Sequence, residues 1–235
     1  MGTLYIVATP IGNLQDITLR AVEILHTLPI IVCEDTRKTG FLLQKLKNET
    51  NVSAERLKTP RLISFYEENE LQRIPEIIGL LKDGIDIALV SDAGTPTISD
   101  PGFKLVRECA KEGIKVESIP GASSVITALT VSGLPTDKFT FIGYLPKKPG
   151  HRQTLLENIK KSSELIKQTI IFFESPFRIS KTLQELLAIF GDIDIVLARE
   201  LTKMHEEVRR EKISQAMKHY EKANPKGEFV ILFHL

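Results

Sequence analysis

The sequence has no excess of charge of either sign and very little cysteine. Its 31 Lys and Arg residues are balanced by 30 Asp and Glu residues over 235 positions. Long-range steering towards nucleic acid requires a charge imbalance, so any RNA binding has to come from local basic patches. Cys33 and Cys109 lie in apolar stretches without CxxC spacing, and we expect buried free thiols. The five histidines form no HExxH motif and no i, i+4 pair, so we expect no structural zinc.

Long apolar runs and the commonest nucleotide-binding motifs are also missing. Runs such as Ile170–Phe173 are far too short to span a bilayer, and no leader-like segment opens the chain, so we expect a cytoplasmic protein without membrane association. There is no GxxxxGK[ST] and no GxSxG, which excludes the commonest NTPase and hydrolase folds. Glu34 and Asp35 stand where a Rossmann domain keeps its ribose-binding acid. The first loop, however, reads TPIGN instead of GxGxxG, which argues against a nicotinamide or flavin cofactor.

The first half of the chain alternates short β-rich runs with helical segments. This alternation predicts an α/β fold in which a parallel sheet is flanked by helices. The predicted strands are Thr3–Ala8, Ile30–Cys33, Arg61–Ser64, Ile85–Val90 and Lys115–Ile119, and the predicted helices are Thr18–His26, Thr39–Leu46, Ile74–Leu81 and Gly102–Glu112. Asp16 and Asp100 are predicted as N-caps, because a short acidic side chain can accept hydrogen bonds from the free N–H groups of a helix start.

The second half has fewer and less evenly spaced strands, which predicts a smaller mixed sheet. The predicted strands are Phe139–Gly143, Thr169–Phe173, Ile193–Ala198 and Phe229–Phe233, with an additional candidate at Glu206–Arg210, and the predicted helices are Val125–Ser132, Arg152–Lys161, Ile179–Phe190 and Ile213–Glu221. We place the boundary so that an N-terminal α/β domain covers residues 1–119 and a C-terminal α/β domain covers residues 120–235. The polar segment 47–58 is predicted to be an exposed loop or a frayed helix end.

Residues suited to ligand binding concentrate in the loops that follow the first-half strands. The carboxyl ends of parallel strands meet at one edge of a sheet, and ligands of open α/β sheets bind at that edge. In SDAGTP (91–96), the glycine permits close backbone approach and Asp92 can accept from a hydroxyl or ammonium group. In PGASS (120–124), N–H groups and hydroxyls at a helix start can hold a carboxylate or a ribose. Taken separately, these segments also fit a tight turn with a cap and a plain helix entry.

Seven ordered blocks between Leu4 and about Phe233 together resemble the tetrapyrrole methylase superfamily. They read ATPIGNLQDIT, CEDTR, SDAGTPTISDPG, IPGASSVITAL, FIGYLPKK, FFESPFRI and ARELTKMHEE. Within the superfamily they most resemble the bacterial branch that methylates a cytidine 2′-hydroxyl of 16S ribosomal RNA. The resemblance implies two α/β domains, S-adenosyl-L-methionine as the cofactor in a cleft that the C-terminal domain completes, and a homodimer. Phe177 stands where relatives commonly have histidine, and many relatives continue beyond the last predicted strand into a small C-terminal domain.

The resemblance also implies which residues hold the cofactor. They come from both halves of the chain and are Pro10, Gly12, Asp92, Ala93, Gly94, Thr95, Ser123, Ser124, Phe173 and Gly227. A ribose hydroxyl is a poor nucleophile, so we expect a carboxylate to take its proton as the methyl group is transferred. The candidates are Asp35, Asp100 and Glu174, each of which also fits a helix cap or a surface ion pair.

The expected partner is 16S ribosomal RNA or the small ribosomal subunit. The expected RNA contacts are Arg37 and Lys38 as phosphate clamps, and Lys147, Lys148, His151, Arg152 and Arg178 as a basic cluster, which also fits a solvated helix start. Two other functions stay open: a methyltransferase that acts on a corrinoid or porphyrinoid small molecule, and a cofactor-binding module without catalysis. The FFESPFRI and ARELTKMHEE blocks favour the RNA branch, and the intact loops argue against the module.

Overall fold

The computed structural model of the protein describes residues 1–47, 59–222 and 225–235. The chain divides into two compact units, Met1–Ser123 and Ser124–Leu235. The sequence-based boundary after residue 119 coincides with the end of a strand, whereas the compact units separate at the start of the following helix. Apart from Lys47, the predicted loop 47–58 lies outside the described residues.

The first unit is a five-stranded parallel sheet flanked by helices, which confirms the α/β fold expected from the alternation. The strand order is β3-β2-β4-β1-β5, and every pairing is parallel. The strands are β1 (Thr3–Val7), β2 (Ile30–Cys33), β3 (Arg61–Ser64), β4 (Ile87–Val90) and β5 (Lys115–Ile119), and the helices are α1 (Leu19–Thr27), α2 (Thr36–Leu46), α3 (Glu70–Lys82) and α4 (Phe103–Lys111).

Helices cover both faces of this sheet. All four residues of β2 and all four of β4 are buried, as expected for inner strands of a doubly covered parallel sheet. On one face, Leu25 of α1 packs with Val7, Ile31 and Val90. On the other face, α3 and α4 pack with the alternate residues of the same strands. Cys33 and Cys109 are buried free thiols, as predicted, and burial raises the pKa of Cys109 to about 11.

The helix starts in the first unit are capped differently from the prediction. Thr18, not Asp16, caps α1, since its hydroxyl accepts from the Ala21 N–H at 3.2 Å. Asp16 ends a short 3₁₀ helix instead. The predicted cap Asp100 is also wrong, because α4 begins after Gly102, whose φ of 125° and missing side chain leave the start without a side-chain cap.

The second unit contains a mixed sheet, as predicted, with the order β6-β7-β10-β8-β9. Only the β6–β7 pairing is parallel among the pairings of the described strands. With five strands it is not smaller than the first sheet in strand number, which corrects the expectation. Its strands are β6 (Phe139–Tyr144), β7 (Thr169–Glu174), β8 (Asp194–Arg199), β9 (Glu207–Lys212) and β10 (Phe229–His234), and its helices are α5 (Ser124–Ser132), α6 (Pro149–Leu165), α7 (Ile179–Phe190) and α8 (Ile213–Lys222).

The core of the second unit lies between this sheet and helices α6, α7 and α8. Phe172, Phe229 and Phe233 are fully buried there, together with Leu156 of α6 and Leu183 of α7. At about 25 cal/mol per Å² of apolar surface removed from water, such side chains supply the main stabilising term of the unit. Within the described ranges, no helix has the length and apolar character needed to cross a membrane.

Candidate functional site

The loops after β1 and β4 meet at the carboxyl edge of the first sheet. Strand β4 lies between β1 and β2, and β1 lies between β4 and β5. The chain leaving β1 therefore runs to one side and the chain leaving β4 to the other, and open α/β sheets bind ligands at such a reversal. Thr9 and Gly94 join the two loops by a short antiparallel bridge, with N···O distances of 2.9 and 3.1 Å. We call the loops at this edge, residues 8–13, 34–38, 91–95 and 120–123, the rim.

Gly94 occupies a rim position with little room for a side chain. Its φ is 83°, a left-handed conformation that favours glycine. An added Cβ would lie 3.3 Å from Ile11 Cγ2 and 3.7 Å from the carbonyl oxygen of Ala122. Next to it, the Thr95 hydroxyl donates to that same carbonyl at 3.0 Å. The loops after β1, β4 and β5 therefore pack closely against one another around Gly94.

Asp92 ties the β2 loop to the β4 loop. Its Oδ1 accepts from the Asp35 N–H at 3.2 Å, and its Oδ2 forms an ion pair with Lys38 Nζ at 2.6 Å. The half-buried carboxylate thus lies at the centre of the rim with a cation beside it. Lys38, predicted as a phosphate clamp, has its charge compensated by Asp92 in this structure.

Asp35 serves as the N-cap of α2, and Arg37 stabilises its charged form. Its side chain accepts from the Arg37 N–H at 2.8 Å and pairs with the Arg37 guanidinium at 2.7 Å. Hydrogen bonds from the side chain and backbone of Arg37 hold the pKa of the Asp35 carboxyl well below its usual range. The neighbouring Glu34 behaves oppositely, because burial, followed by the negative charge of Asp92, raises its pKa.

Most of the predicted cofactor residues of the first unit lie on the rim. Pro10 and Gly94 are buried, Asp92, Thr95 and Ser123 are half-buried, and Gly12 and Ala93 are exposed. Sequence reasoning missed Thr9, a buried residue that bridges to Gly94 and whose hydroxyl donates to the Ser91 carbonyl at 3.3 Å. Its position directly before Pro10 in the TPIGN loop was the available signal.

Left-handed backbone at non-glycine residues marks two family blocks. Thr97 and Ser99, with φ of 74° and 61°, closely precede the half-buried candidate Asp100 in the segment between β4 and α4. Glu200 and Thr202, with φ of 50° and 63°, stand in the ARELTKMHEE block after β8. Such conformations cost of order 1–3 kcal/mol each and cluster at functional sites.

In the second unit, Glu174 is fully buried at the end of β7, with 0% of its surface exposed. Its carboxylate accepts from the Ser175 N–H at 2.7 Å and the Thr182 hydroxyl at 2.6 Å, and it pairs with Arg178 Nε at 3.2 Å. These contacts fix the segment between β7 and α7. Because the carboxylate has no surface open to a substrate in this structure, Glu174 holds neighbouring groups of the second unit in position.

The basic cluster of the second unit divides into exposed lysines and enclosed arginines. Lys147 and Lys148 are exposed at the start of α6. Arg152, predicted to face RNA, is only 3% exposed, because its guanidinium pairs with Glu185 of α7. Arg178 is half-buried beside Glu174. The expectation that Arg152 lies on an RNA-binding surface is therefore wrong.

The two remaining cofactor candidates of this unit, Phe173 and Gly227, also have contacts within it. The Phe173 ring lies 4.9 Å from that of Phe141, centroid to centroid. Gly227 has a φ of 78°, and an added Cβ would lie 2.2 Å from Glu200 Oε1. A glycine is required there because Glu200 occupies the space. Ser124, half-buried, is the first residue of α5.

Groups of three or more His, Cys, Asp or Glu side chains arranged to hold a metal ion do not occur within residues 1–47, 59–222 and 225–235. The site is a loop-built rim with a central carboxylate, Asp92, and with loops that pack closely at Gly94. Such an arrangement suits a ligand that offers hydroxyl or ammonium donors and that lies against backbone.

Known proteins resemble this chain in sequence and in fold. A curated relative from Thermotoga maritima, named ribosomal RNA small subunit methyltransferase I, is 48% identical over 232 residues, which cover 99% of this chain and 98% of the relative. A relative of the same name from Halalkalibacterium halodurans is 45% identical over 98% of this chain and 75% of its own length.

Solved structures agree in fold at low sequence identity. Diphthine synthase superposes with a TM-score of 0.67 at 16% identity, over 98% of this chain and 89% of that one. A cobalt precorrin-4 methyltransferase gives 0.65 at 17% identity, over 98% and 94%. The family model described as Tetrapyrrole (Corrin/Porphyrin) Methylases matches residues 3–217, and the chain belongs to that family.

Proposed function

We propose that this protein is an S-adenosyl-L-methionine-dependent methyltransferase that methylates the ribose 2′-hydroxyl of a cytidine in 16S ribosomal RNA. One observation supports the cofactor part: the Thr9–Gly94 bridge brings the β1 and β4 loops together around the Asp92 carboxylate. The relatives named ribosomal RNA small subunit methyltransferase I support the substrate part. The identity of 48% over nearly the full length of both chains favours ribosomal RNA over a corrinoid or porphyrinoid substrate.

The rim residues fit an adenosyl amino acid. Asp92 offers carboxylate oxygens to hydroxyl or ammonium donors, and the absent Cβ of Gly94 lets the β1 loop pack closely against the β4 loop beside that carboxylate. Thr95 and Ser123 add hydroxyls. We propose that Pro10, Gly12, Asp92, Ala93, Gly94, Thr95 and Ser123 hold the cofactor, and that Ser124, Phe173 and Gly227 contribute from the second unit.

The bound cofactor supplies an electrophilic methyl group on a sulfonium. The chain itself has two tasks, which are to orient the ribose hydroxyl and to take its proton as the new bond forms. Asp35 is ionised at neutral pH because Arg37 stabilises its charge, so it is ready to accept a proton, although the same stabilisation lowers its proton affinity. Asp100 is the alternative base. Glu174, whose carboxylate is enclosed, is the weakest of the three candidates.

Lys38 has a proposed part in cofactor capture. In this structure its ammonium group satisfies the Asp92 carboxylate at 2.6 Å. A cofactor hydroxyl or ammonium group that binds Asp92 would free Lys38, which then becomes available to a phosphate of the substrate. Arg37, 89% exposed in its side chain, stands beside it. We extend the proposal to a homodimeric, cytoplasmic protein, on the basis of the family resemblance.

Methyl transfer to small ribosomal subunits that lack the modification tests this function. The protein is incubated with tritiated cofactor and either such subunits, their naked 16S RNA, or a precorrin. We expect incorporation into the subunits or the RNA, at a cytidine ribose that nucleotide mapping identifies. Incorporation into the precorrin alone would overturn the RNA substrate, and absence of incorporation from all three would overturn the proposed function.

A further inference from the structure

The loop that follows β6 lies outside the rim and combines an irregular strand end with exposed basic side chains. It comprises Leu145, Pro146, Lys147 and Lys148, and together with Tyr144, the last residue of β6, we call this segment the β6 loop. The β6–β7 register shifts between Phe141 and Tyr144, and Gly143 between them has a φ of 67°. Irregularities of this kind re-aim nearby side chains, and Tyr144 rejoins the ladder opposite Phe173.

Two arginine side chains hold the backbone of the β6 loop through hydrogen bonds. Arg178 donates to the Leu145 carbonyl at 3.0 Å, and Arg152 donates to the Pro146 carbonyl at 3.3 Å. Leu145 itself is buried in the core of the second unit. The two arginines reach the loop from α6 and from the segment before α7. The loop backbone is therefore fixed at Leu145 and Pro146.

The charges of these arginines are compensated by carboxylates of the same unit. Arg178 pairs with Glu174, and Arg152 pairs with Glu185. Breaking such a buried pair by removing one partner is strongly destabilising. Both guanidinium groups therefore act as positioning residues for the loop.

The side chains on either side of the anchored pair remain accessible. Tyr144 is 39% exposed, and its ring lies 5.4 Å from the ring of Phe173, at an interplanar angle of 57°. Phe173 in turn contacts Phe141, so the tyrosine ring is backed by two further aromatic rings. Lys147 and Lys148 follow on the exposed side of the loop.

From this arrangement we propose that the β6 loop is a binding surface for single-stranded RNA, on which Tyr144 stacks one unpaired base and Lys147 and Lys148 hold adjacent phosphates. The inference rests on the proposed function and deepens it, since it assigns the RNA contacts to particular residues. An aromatic face held in place by its neighbours loses little conformational freedom when a base stacks on it. Duplex RNA does not offer an unstacked base, so the surface selects single-stranded regions.

The first test measures base stacking directly. The full-length protein is titrated into a short single-stranded RNA that carries one 2-aminopurine, and fluorescence quenching reports stacking. We expect Tyr144→Leu to abolish the quenching and weaken binding roughly tenfold, and Tyr144→Phe, which keeps the ring, to match the wild type within about twofold. Equal quenching and affinity in Tyr144→Leu and the wild type would overturn the proposal.

The second test measures how many phosphates the two lysines neutralise, and it does not depend on the folding of the tyrosine variant. On a single strand, each neutralised phosphate contributes about 0.7 to the slope of log affinity against log salt. We expect Lys147→Gln/Lys148→Gln to reduce that slope by about 1.4. The matched control is Lys161→Gln/Lys167→Gln, which removes two exposed lysines, one near the C-terminal end of α6 and one just after it. Equal slopes in both double variants would overturn the phosphate assignment.

A cofactor titration separates this inference from the proposed function. We expect Tyr144→Leu to bind S-adenosyl-L-methionine as the wild type does. Weaker cofactor binding in that variant would assign the ring to the cofactor adenine and overturn the RNA assignment. Wild-type methylation of RNA with unchanged RNA binding in Tyr144→Leu overturns the inference alone. Failure of the wild type to methylate RNA overturns the proposed function, while quenching by the wild type still decides whether the surface binds RNA.

Discussion

At the scale of single residues, the rim is organised by one carboxylate that serves two loops. Asp92 accepts from the Asp35 N–H and pairs with Lys38, so the β2 and β4 loops share one acceptor. Asp35 in turn caps α2 through the Arg37 N–H. The sequence pointed to both aspartates from their place after buried strands. It could not show that the Asp35 N–H donates to the Asp92 carboxylate, because the two residues are far apart in the sequence.

Replacement of Asp35 separates its capping role from a role as the base. Asn is as good an N-cap as Asp, so Asp35→Asn keeps the helix start but removes the proton acceptor. We expect its kcat to fall by on the order of a hundredfold with an unchanged unfolding temperature. Asp35→Ala should lower both. Tritiated-cofactor kinetics with thermal unfolding check this, and wild-type turnover in Asp35→Asn would pass the role to Asp100, for which Asp100→Asn is the matched variant.

Glu34 makes stability depend on pH. Its pKa is raised, first by burial and then by the charge of Asp92, so the folded state holds its proton more tightly than the unfolded state does. The resulting contribution to stability is present below the unfolded pKa and is lost as pH rises through the folded pKa. We expect the free energy of unfolding of Glu34→Gln to exceed that of the wild type by a margin that grows as pH rises. Urea unfolding at several pH values checks this, and a margin independent of pH contradicts it.

At the scale of elements, hydrophobic periodicity located nearly every helix and strand. Strands β2, β3 and β5 and helix α7 have their predicted bounds. The starts of α2 and α3 were predicted too late, at Thr39 and Ile74, because they depend on contacts rather than on apolar spacing. Helix α2 begins at Thr36 after its Asp35 cap. Helix α3 begins at Glu70, whose buried carboxylate accepts from the Gly102 N–H at 3.1 Å, a partner that lies far along the chain.

The Gly102 junction between α3 and α4 should be sensitive to a single methyl group. Its φ is 125°, and an added Cβ would lie 2.6 Å from Leu89 Cδ2. We expect Gly102→Ala to lower the free energy of unfolding by about 1–3 kcal/mol. Gly79→Ala is the control, since Gly79 lies within α3 and its added Cβ meets nothing within 4 Å. Helix propensity predicts a gain of up to about 1 kcal/mol there, and chemical denaturation should show the two variants moving in opposite directions.

At the scale of the whole molecule, positive and negative charges nearly balance, so RNA binding depends on where individual basic side chains lie. With a formal net charge of +1, the sequence allowed RNA binding only through patches, and it named the segment 147–152 as one. It could not show that Arg152 turns inward, because the partner that neutralises it, Glu185, lies on a different helix. Tyr144 escaped notice for a related reason, since its ring contact is with Phe173, on the neighbouring strand β7.

The fold and the position of the rim were accessible from sequence because they follow from strand periodicity and from the common edge of a parallel sheet. The buried or exposed state of each charged side chain was not, because it depends on a partner distant in sequence. The sequence blocks that resemble the family restricted the range of candidate functions more than composition could. The relatives from Thermotoga maritima and Halalkalibacterium halodurans support the ribosomal RNA branch.

Calorimetric titration with S-adenosyl-L-methionine tests the central claim, that the rim holds this cofactor, most directly. We expect the wild type and Gly79→Ala to bind with the same affinity. For Gly94→Ala we expect roughly tenfold weaker binding, because the new Cβ would strain a left-handed residue and press on Ile11. Absence of binding heat and of thermal stabilisation in the wild type, or wild-type affinity in a folded Gly94→Ala variant, would contradict the account.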